Sequence, residues 1–225
     1  MFGNNPIRPP VKSDGSQLEV KHLFPTLQGE GPYTGHPSVF IRLGGCNLAC
    51  TFCDTDFEAF ATLGVNEIVE QVQQLSLSEG GKRVRHLVVI TGGEPLRQNI
   101  VPLCERLITE GFKIQIETNG TLYQPLPPEV AIICSPKNTG NGYFAIRDDL
   151  LARINAFKFI ISKHREHYYE VVEVGQARHG TPVYVQPMDE GDAARNAENL
   201  AYASEMAQRC GYILSLQTHK ILGIE

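Results

Sequence analysis

The sequence has no tryptophan and only three methionines, and it contains no apolar run long enough to cross a membrane. It also has no excess of positive charge, because 20 Lys and Arg residues stand against 25 Asp and Glu residues, for a net charge of −5. A nucleic-acid-binding surface is normally basic, so this charge argues against such a partner. The first ten residues contain no apolar segment of the signal-peptide type. We therefore expect a cytoplasmic protein with neither a membrane nor a nucleic-acid partner.

The length and composition are those of one ordinary globular domain. The chain has 225 residues, of which 42% are hydrophobic and 20% charged, and this is enough for a sizeable core. Residues 1–16 contain several Pro, Gly and Asn residues without an apolar pattern, which predicts a loose lead-in. No internal repeat or domain boundary is visible in the remainder. We therefore expect a single domain over residues 1–225.

The cysteines lack the second pair that a structural zinc site usually has. One C-x3-C-x2-C group holds Cys46, Cys50 and Cys53, and zinc bound there would have to recruit a fourth ligand such as Asp54 or His36. A disulfide with one free thiol is a further alternative, although nothing indicates a secreted protein. Three thiolates would leave one iron of a four-iron cluster open, and an open metal position is typical of a catalytic site. The remaining cysteines stand singly and are predicted to be core thiols: Cys104, Cys134 and Cys210.

Apolar strands alternate with helical segments along most of the chain. This order predicts an α/β fold with a mostly parallel sheet and right-handed crossovers. Six or seven such strands are fewer than the eight of a closed barrel, so we expect an incomplete TIM-type β/α barrel. The carboxyl ends of the strands carry the active site in such barrels. Polar motifs follow the strands here and should meet at one mouth: 46–53, 91–95, 117–121, 135–137 and 186–189.

Four local expectations concern single segments. Asn66 is predicted to cap a helix over residues 66–75, and residues 164–174 are predicted to be weakly helical. Residues 24–32 are predicted to form a polar loop after a short strand. Lys158 is predicted to be an exposed charge at the end of a strand.

The cysteine spacing, together with the Gly92-Gly93-Glu94-Pro95 turn, resembles the radical S-adenosylmethionine (SAM) superfamily, in which the open iron binds SAM. Further motifs in the same order narrow the resemblance to the 7-carboxy-7-deazaguanine synthase family, from about residue 24 to the C-terminus. These motifs are Thr26-Leu27-Gln28-Gly29-Glu30-Gly31, Phe40-Ile41-Arg42-Leu43, Cys53-Asp54-Thr55, Thr91-Gly92-Gly93-Glu94-Pro95, Glu117-Thr118, Ser135-Pro136-Lys137, Gln186-Pro187 and Gln217-Thr218-His219-Lys220.

The resemblance implies an enzyme of queuosine and 7-deazapurine biosynthesis. It would convert 6-carboxy-5,6,7,8-tetrahydropterin into 7-carboxy-7-deazaguanine with loss of ammonia. The implied cofactors are a [4Fe–4S] cluster, SAM and Mg²⁺. In the implied mechanism the reduced cluster cleaves SAM to a 5′-deoxyadenosyl radical, which takes a hydrogen from C6 of the substrate before the ring contracts. A flavodoxin- or ferredoxin-type reductant and a homodimer are also implied.

The resemblance also assigns residues. Cys46, Cys50 and Cys53 would hold the cluster, and Thr55 the magnesium. The implied SAM-binding positions are Phe52, Asp54, Gly93, Glu117, Ser135, Pro136, Lys137 and Gln186. The implied substrate-binding positions are Leu27, Gln28, Gly29, Glu30, Arg42 and Thr91. His219 lies in a matching motif but receives no role.

Two alternatives stay open at this point. One is another radical SAM enzyme, such as an activase that forms a glycyl radical on a partner protein. The polar loop at Gln28 and Glu30, together with Arg42, favours a small anionic substrate instead. The other is a non-enzymatic metal or iron–sulfur protein. Such a protein would not need the SAM-binding motif that the resemblance implies at Gly92-Gly93-Glu94-Pro95.

Overall fold

A computed structural model describes residues 5–138, 140 and 142–225 of the chain. Residues 1–4 of the predicted lead-in lie outside the described part, as do residues 139 and 141. No helix within the described part is long and apolar enough to span a membrane.

The described residues form one sheet of nine strands with helices between them. The strand order is β3-β1-β2-β4-β5-β6-β7-β8-β9. All pairs from β2 to β9 are parallel, whereas β1 pairs antiparallel with both β2 and β3. The strands are β1 Gln17–Leu27, β2 Pro37–Leu43, β3 Ala61–Gly64, β4 Leu87–Gly92, β5 Lys113–Thr118, β6 Ala131–Cys134, β7 Ile154–Ile161, β8 Val183–Pro187 and β9 Ile213–Leu214. The α-helices are α1 Val65–Leu75, α2 Val101–Thr109, α3 Asp148–Leu151, α4 Gln176–His179, α5 Ala193–Cys210 and α6 Thr218–Leu222.

The expected incomplete TIM-type α/β barrel is confirmed, since the parallel sheet does not close on itself. Alternate side chains of each strand occupy opposite faces of the sheet. On the outer face, Ile41, Ile116 and Phe159 join the large hydrophobic core, which also takes in side chains of α1, α2 and α5. The intervening positions face the interior of the barrel. This alternation brings Arg42, Glu117 and Lys158 to the same cavity.

The first strand is longer than expected. β1 runs over eleven residues and includes residues 24–27, which were predicted to lie in a loop. It pairs with β3 through residues 17–20 and with β2 as far as Leu27. The pairing with β2 outweighs the turn-forming tendency of Pro25. The short strand β3 has no clear apolar pattern in the sequence and was not predicted.

The helix expected over residues 66–75 is confirmed as α1, but its predicted cap was wrong, and so was the weak helix expected over residues 164–174. Helix α1 begins at Val65 rather than Asn66, its N-cap is Gly64, and the Val65 N–H donates to the Ser16 carbonyl at 3.0 Å, so a neighbouring segment replaces the expected Asn66 cap. Residues 164–174 are not helical, and a four-residue helix, α4, follows them instead. Cys104 and Cys134 are buried as expected, whereas Cys210 is exposed at the end of α5.

The described part of the lead-in has little regular structure but packs on the cysteine loop, residues 44–57. Ile7 forms a β-bridge with Cys46, and the Arg8 N–H donates to the Cys46 carbonyl at 2.7 Å. The Arg8 guanidinium also pairs with Glu58 at 2.5 Å. These contacts tie the described part of the lead-in to the cysteine loop.

Candidate active site

The cysteine loop follows β2 and rests on the glycine turn that ends β4. The Glu94 N–H donates to the Gly45 carbonyl at 3.0 Å. A Cβ atom at position 93 would lie 2.0 Å from that same carbonyl oxygen, so only glycine permits this close approach. The two motifs that suggested a SAM-binding site are therefore in direct contact.

Glu94 ties the same turn to the next strand end. Its side chain is fully buried and accepts hydrogen bonds from Leu96 N, Thr118 Oγ1 and Asn119 N at 2.7 to 2.9 Å. Burial raises the pKa of Glu94 despite these three donors. The carboxyl thus links the ends of β4 and β5 through hydrogen bonds, and it does not line the cavity.

All three thiols of the loop are free and line one cavity. Cys46 Sγ accepts from Leu48 N at 3.4 Å, and Cys53 Sγ donates to the Thr55 carbonyl at 3.4 Å. Burial raises the pKa of all three thiols, that of Cys46 to about 12. Without a metal they are therefore protonated at neutral pH, and metal binding would displace the protons.

These thiols fit an iron–sulfur cluster better than a disulfide or a single ion. Within the described residues, no group of three His, Cys, Asp or Glu side chains is arranged to hold one metal ion. A four-iron cluster is larger than one ion and takes its thiolates at separate irons. His36, which a zinc site could have used, instead contacts the Tyr33 carbonyl at 2.9 Å and does not line the cavity.

The same cavity contains nearly all of the other predicted site residues. Of the implied SAM-binding positions it includes every one except Pro136, which is buried beside it. All implied substrate-binding positions line it, and so does Thr55, whose hydroxyl donates to Asp54 Oδ1 at 3.2 Å. The roles of these residues stay predictions, but the barrel brings them to one place.

One wall of the cavity contains aromatic and cationic groups next to the cysteines. Phe52 packs edge-on against Tyr168, with ring centroids 4.9 Å apart. Lys137 Nζ donates to Ser135 Oγ at 2.5 Å, and burial lowers the pKa of its ammonium group. Gln186 Oε1 accepts from Ser215 Oγ at 3.0 Å. This wall offers both donors and a cation to a polar ligand.

Arg42 is a cation without an ion-pair partner among the described residues. Its guanidinium lies over the Phe24 ring, 5.6 Å from the centroid. Burial lowers the pKa of Arg42, although Glu225 and Asp54 lie near enough to oppose that shift. A partly buried arginine without a salt bridge is suited to bind an anionic ligand in the cavity.

Lys158 is not the exposed charge that the sequence suggested. Its side chain is only 5% exposed and pairs with the carboxylates of both Glu30 and Glu117. Because Phe157 and Phe159 occupy the outer face of β7, the residue between them must point into the barrel. A lysine within an otherwise apolar strand was the sequence signal that could have indicated this.

The C-terminal segment contributes residues to which the sequence gave no role. Gln217 Nε2 donates to Glu30 Oε1 at 2.8 Å, and His219 lines the cavity beside Gly29. Lys220 Nζ contacts the carboxylates of Asp54 and Asp189, each at 2.9 Å. Helix α6 thus closes one side of the mouth through polar contacts.

The chain is similar to one protein family over its sequence and its fold. Residues 40–136 match the model of the Radical SAM superfamily. The chain is 54% identical to the 7-carboxy-7-deazaguanine synthase of Rickettsia prowazekii and 42% identical to that of Rhodospirillum rubrum, in each case over 100% of this chain and at least 96% of the relative. The crystal structure of QueE from Escherichia coli superposes with a TM-score of 0.69 at 26% identity and covers 89% of this chain and 94% of that one. The resemblance drawn from the motifs is confirmed. With this identity over its whole length, the chain belongs to the 7-carboxy-7-deazaguanine synthase family.

Proposed function

We propose that this protein is a radical SAM lyase that converts 6-carboxy-5,6,7,8-tetrahydropterin into 7-carboxy-7-deazaguanine with loss of ammonia, in queuosine and 7-deazapurine biosynthesis. Family membership supports the proposal. The observation that carries it is a single cavity lined by three free thiols, by two carboxylates and by a partly buried arginine that has no salt bridge among the described residues. That combination suits a metal cofactor facing a small ligand that has both an anionic group and hydrogen-bond donors.

The thiols of Cys46, Cys50 and Cys53 would hold the [4Fe–4S] cluster. A bound cluster with SAM would supply the hydrogen-atom abstraction, which no amino-acid side chain of the site can perform. Phe52, Asp54, Gly93, Ser135, Lys137 and Gln186 would hold SAM, with the Lys137 ammonium beside Ser135 as a donor to it. Pro136 would act only through the backbone between those two residues.

A second group of residues that line the same cavity would hold the substrate. Arg42 would bind the substrate carboxylate through two parallel hydrogen bonds, which the planar guanidinium is shaped to make. Leu27, Gln28, Gly29 and Thr91 would surround the ring, and Glu30 would accept from its N–H groups. Glu117 was assigned to SAM by resemblance, but its hydrogen bond to Gln28 and its shared lysine with Glu30 support a place beside the substrate.

We also propose a magnesium ligand, an electron donor and a dimer. Thr55 would give Mg²⁺ one oxygen, with water and substrate supplying others. A flavodoxin- or ferredoxin-type protein would deliver the electron in the cytoplasm. A homodimer is proposed on family membership, and Ile213 and Leu214, which are 45% and 36% exposed on β9, offer apolar surface to a second copy.

The test is anaerobic turnover. Purified protein reconstituted with iron and sulfide would be incubated with SAM, a reductant and the carboxytetrahydropterin, and the products identified by mass spectrometry. We expect a brown protein with about four irons per chain and formation of 7-carboxy-7-deazaguanine that depends on SAM. A colourless zinc protein, or a loaded protein that leaves the pterin unchanged, would refute the proposal. Formation of a glycyl radical on an added partner protein, without conversion of the pterin, would favour the activase alternative.

A further inference from the structure

Lys158 joins two carboxylates that come from distant parts of the chain. Its Nζ donates to Oε2 of Glu30, in the loop after β1, and to Oε2 of Glu117 on β5, the latter at 2.5 Å. The side chains of Glu30 and Glu117 are only 16% and 15% exposed. Charges with so little contact with water need partners, so the three groups form one ion-paired unit.

The second oxygen of each carboxylate is held as well. Glu30 Oε1 accepts from Gln217 Nε2 at 2.8 Å. Glu117 Oε1 accepts from Gln28 Nε2 at 3.2 Å and from Gln115 Nε2 at 2.8 Å. An ionised carboxylate has about four acceptor sites, so both groups can still accept from a ligand in the cavity that they line. Because the Lys158 ammonium bonds both carboxylates, it sets the distance between them.

The contacts of Glu30 and Lys158 also set their charges. Burial by itself would raise the pKa of Glu30, but the Lys158 ammonium, together with the Gln217 amide, lowers that pKa. Burial would lower the pKa of Lys158, and the Glu117 and Glu30 carboxylates outweigh burial and raise it. Glu30 and Lys158 are therefore ionised near neutral pH. The single ammonium of Lys158 is shared by two carboxylates that line the cavity.

We propose that Lys158 is a positioning residue that holds Glu30 and Glu117 as paired acceptors for the adjacent N–H groups of a 2-amino-4-oxopyrimidine ring. This inference rests on the function proposed above, because the carboxytetrahydropterin presents its 2-amino group and a neighbouring ring N–H along one edge. Lys158 acts through the two carboxylates and not on the reacting carbon. Without it the carboxylates would repel each other, and one would turn away or take up a proton and become a donor.

Other charged groups face the unit and are part of its environment. Arg42, Asp54 and His219 lie on the side of Glu30. Lys137 lies on the side of Glu117 and Lys158. None of them forms an ion pair with either carboxylate, so Lys158 is the ammonium that directly bridges the two among the described residues.

The inference is tested with Lys158→Met in the cluster-loaded protein, with Lys163→Met as the matched control. Lys163 is 54% exposed and pairs with Glu198 on the surface. Anaerobic calorimetry would measure the affinity for three ligands: the carboxytetrahydropterin, its 2-deamino analogue and SAM. We expect Lys158→Met to weaken substrate binding about tenfold or more, which corresponds to about 1.4 kcal/mol. Affinity for SAM should stay close to wild type, and KM should rise more than kcat falls. Affinity for the 2-deamino analogue, which keeps only the ring N–H, should fall by a smaller factor than affinity for the substrate.

These ligands separate a positioning role from a merely structural one. If a folded Lys158→Met variant binds the substrate as wild type does, the inference is wrong. If its affinities for the substrate, the 2-deamino analogue and SAM all fall by the same factor, Lys158 only supports the fold and the inference is again wrong. If wild type does not convert the carboxytetrahydropterin, the proposed function itself fails and the inference falls with it, whereas normal wild-type turnover confines any failure to Lys158.

Because Lys158→Met leaves two buried carboxylates without a cation, it could fail to fold. A second comparison then decides. Glu117→Gln and the double variant Glu117→Gln/Lys158→Met differ only in Lys158, and the double variant has the same net charge in this unit as wild type. We expect the double variant to bind substrate about tenfold more weakly than Glu117→Gln, because Glu30 has lost its anchor. Equal affinities would overturn the inference.

Discussion

Gly29 and His219 are in direct contact at the mouth of the barrel: a Cβ atom at position 29 would lie 2.2 Å from His219 Nδ1 and 2.9 Å from its Cγ. Thr218, the residue before His219, also contacts Gly29, since its N–H and hydroxyl both donate to the Gly29 carbonyl, at 3.0 and 3.1 Å. The loop after β1 and the C-terminal helix α6 therefore fit together only if residue 29 has no side chain.

The first prediction follows from this contact. Gly29→Ala should displace His219, and with it the Gln217 amide that holds Glu30, so we expect substrate KM to rise about tenfold while the fold persists. Steady-state kinetics and thermal unfolding would be measured in parallel. Gly80→Ala is the control, because a Cβ at that exposed glycine meets only Ser78 Oγ, at 3.9 Å. Unchanged KM in Gly29→Ala would show that this contact yields without consequence.

The second prediction concerns the cysteine loop. Cys46→Ala, Cys50→Ala and Cys53→Ala should each abolish product formation and lower iron content, because each removes one of three thiols that can anchor a cluster. Cys210→Ala, at an exposed thiol outside the cavity, should behave as wild type. Iron analysis and turnover would be measured on the same preparations. A single variant of the loop with full activity and iron would remove that cysteine from the ligand set.

The third prediction concerns Arg42. Arg42→Ala should weaken binding of the carboxytetrahydropterin by about 2–5 kcal/mol, because a charge-assisted pair in a desolvated site is lost. Binding of SAM should be unchanged. Arg178→Ala serves as the control, since that arginine is 69% exposed. Equal substrate affinity in wild type and Arg42→Ala, measured by anaerobic calorimetry, would mean that Arg42 serves the structure rather than the ligand.

The fourth prediction concerns Thr55 and magnesium. Thr55→Ala should keep its iron and still cleave SAM reductively, but lose most turnover and most of the response to added Mg²⁺, because one of few protein ligands is gone. Turnover would be compared with and without Mg²⁺ after iron contents are matched. Thr62→Ala, on the exposed strand β3, is the control. A normal magnesium response in Thr55→Ala would assign the ion to other oxygens.

Much of this protein could be predicted from local sequence signals. The parallel strands were recognisable because strands buried on both faces are continuous apolar runs. The cysteine spacing and the glycine turn were informative because their chemistry depends on residue type over short distances. The end of helix α5 was also predictable from the sequence, because Gly211 takes the left-handed conformation at its C-terminus.

Where side chains point was decided only by the tertiary structure. Lys158 looked like a strand-end charge, and its burial follows from β7 having a core on one face and the barrel interior on the other. The cap expected at Asn66 is replaced by the Ser16 carbonyl, which comes from a different segment. Pairing with β2 likewise extends β1 through Pro25, which lies opposite Val39.

The amino-acid sequence by itself thus determined the parallel strands, their order and the residues able to bind a cluster, because those properties depend on neighbours along the chain. The partners of Glu30 were decided by folding alone. Its lysine lies 128 residues away and its glutamine 187 residues away, and no local pattern relates positions so distant. Ion pairs and hydrogen bonds of this kind exist only once the barrel has brought its strand ends and the C-terminal helix to one mouth.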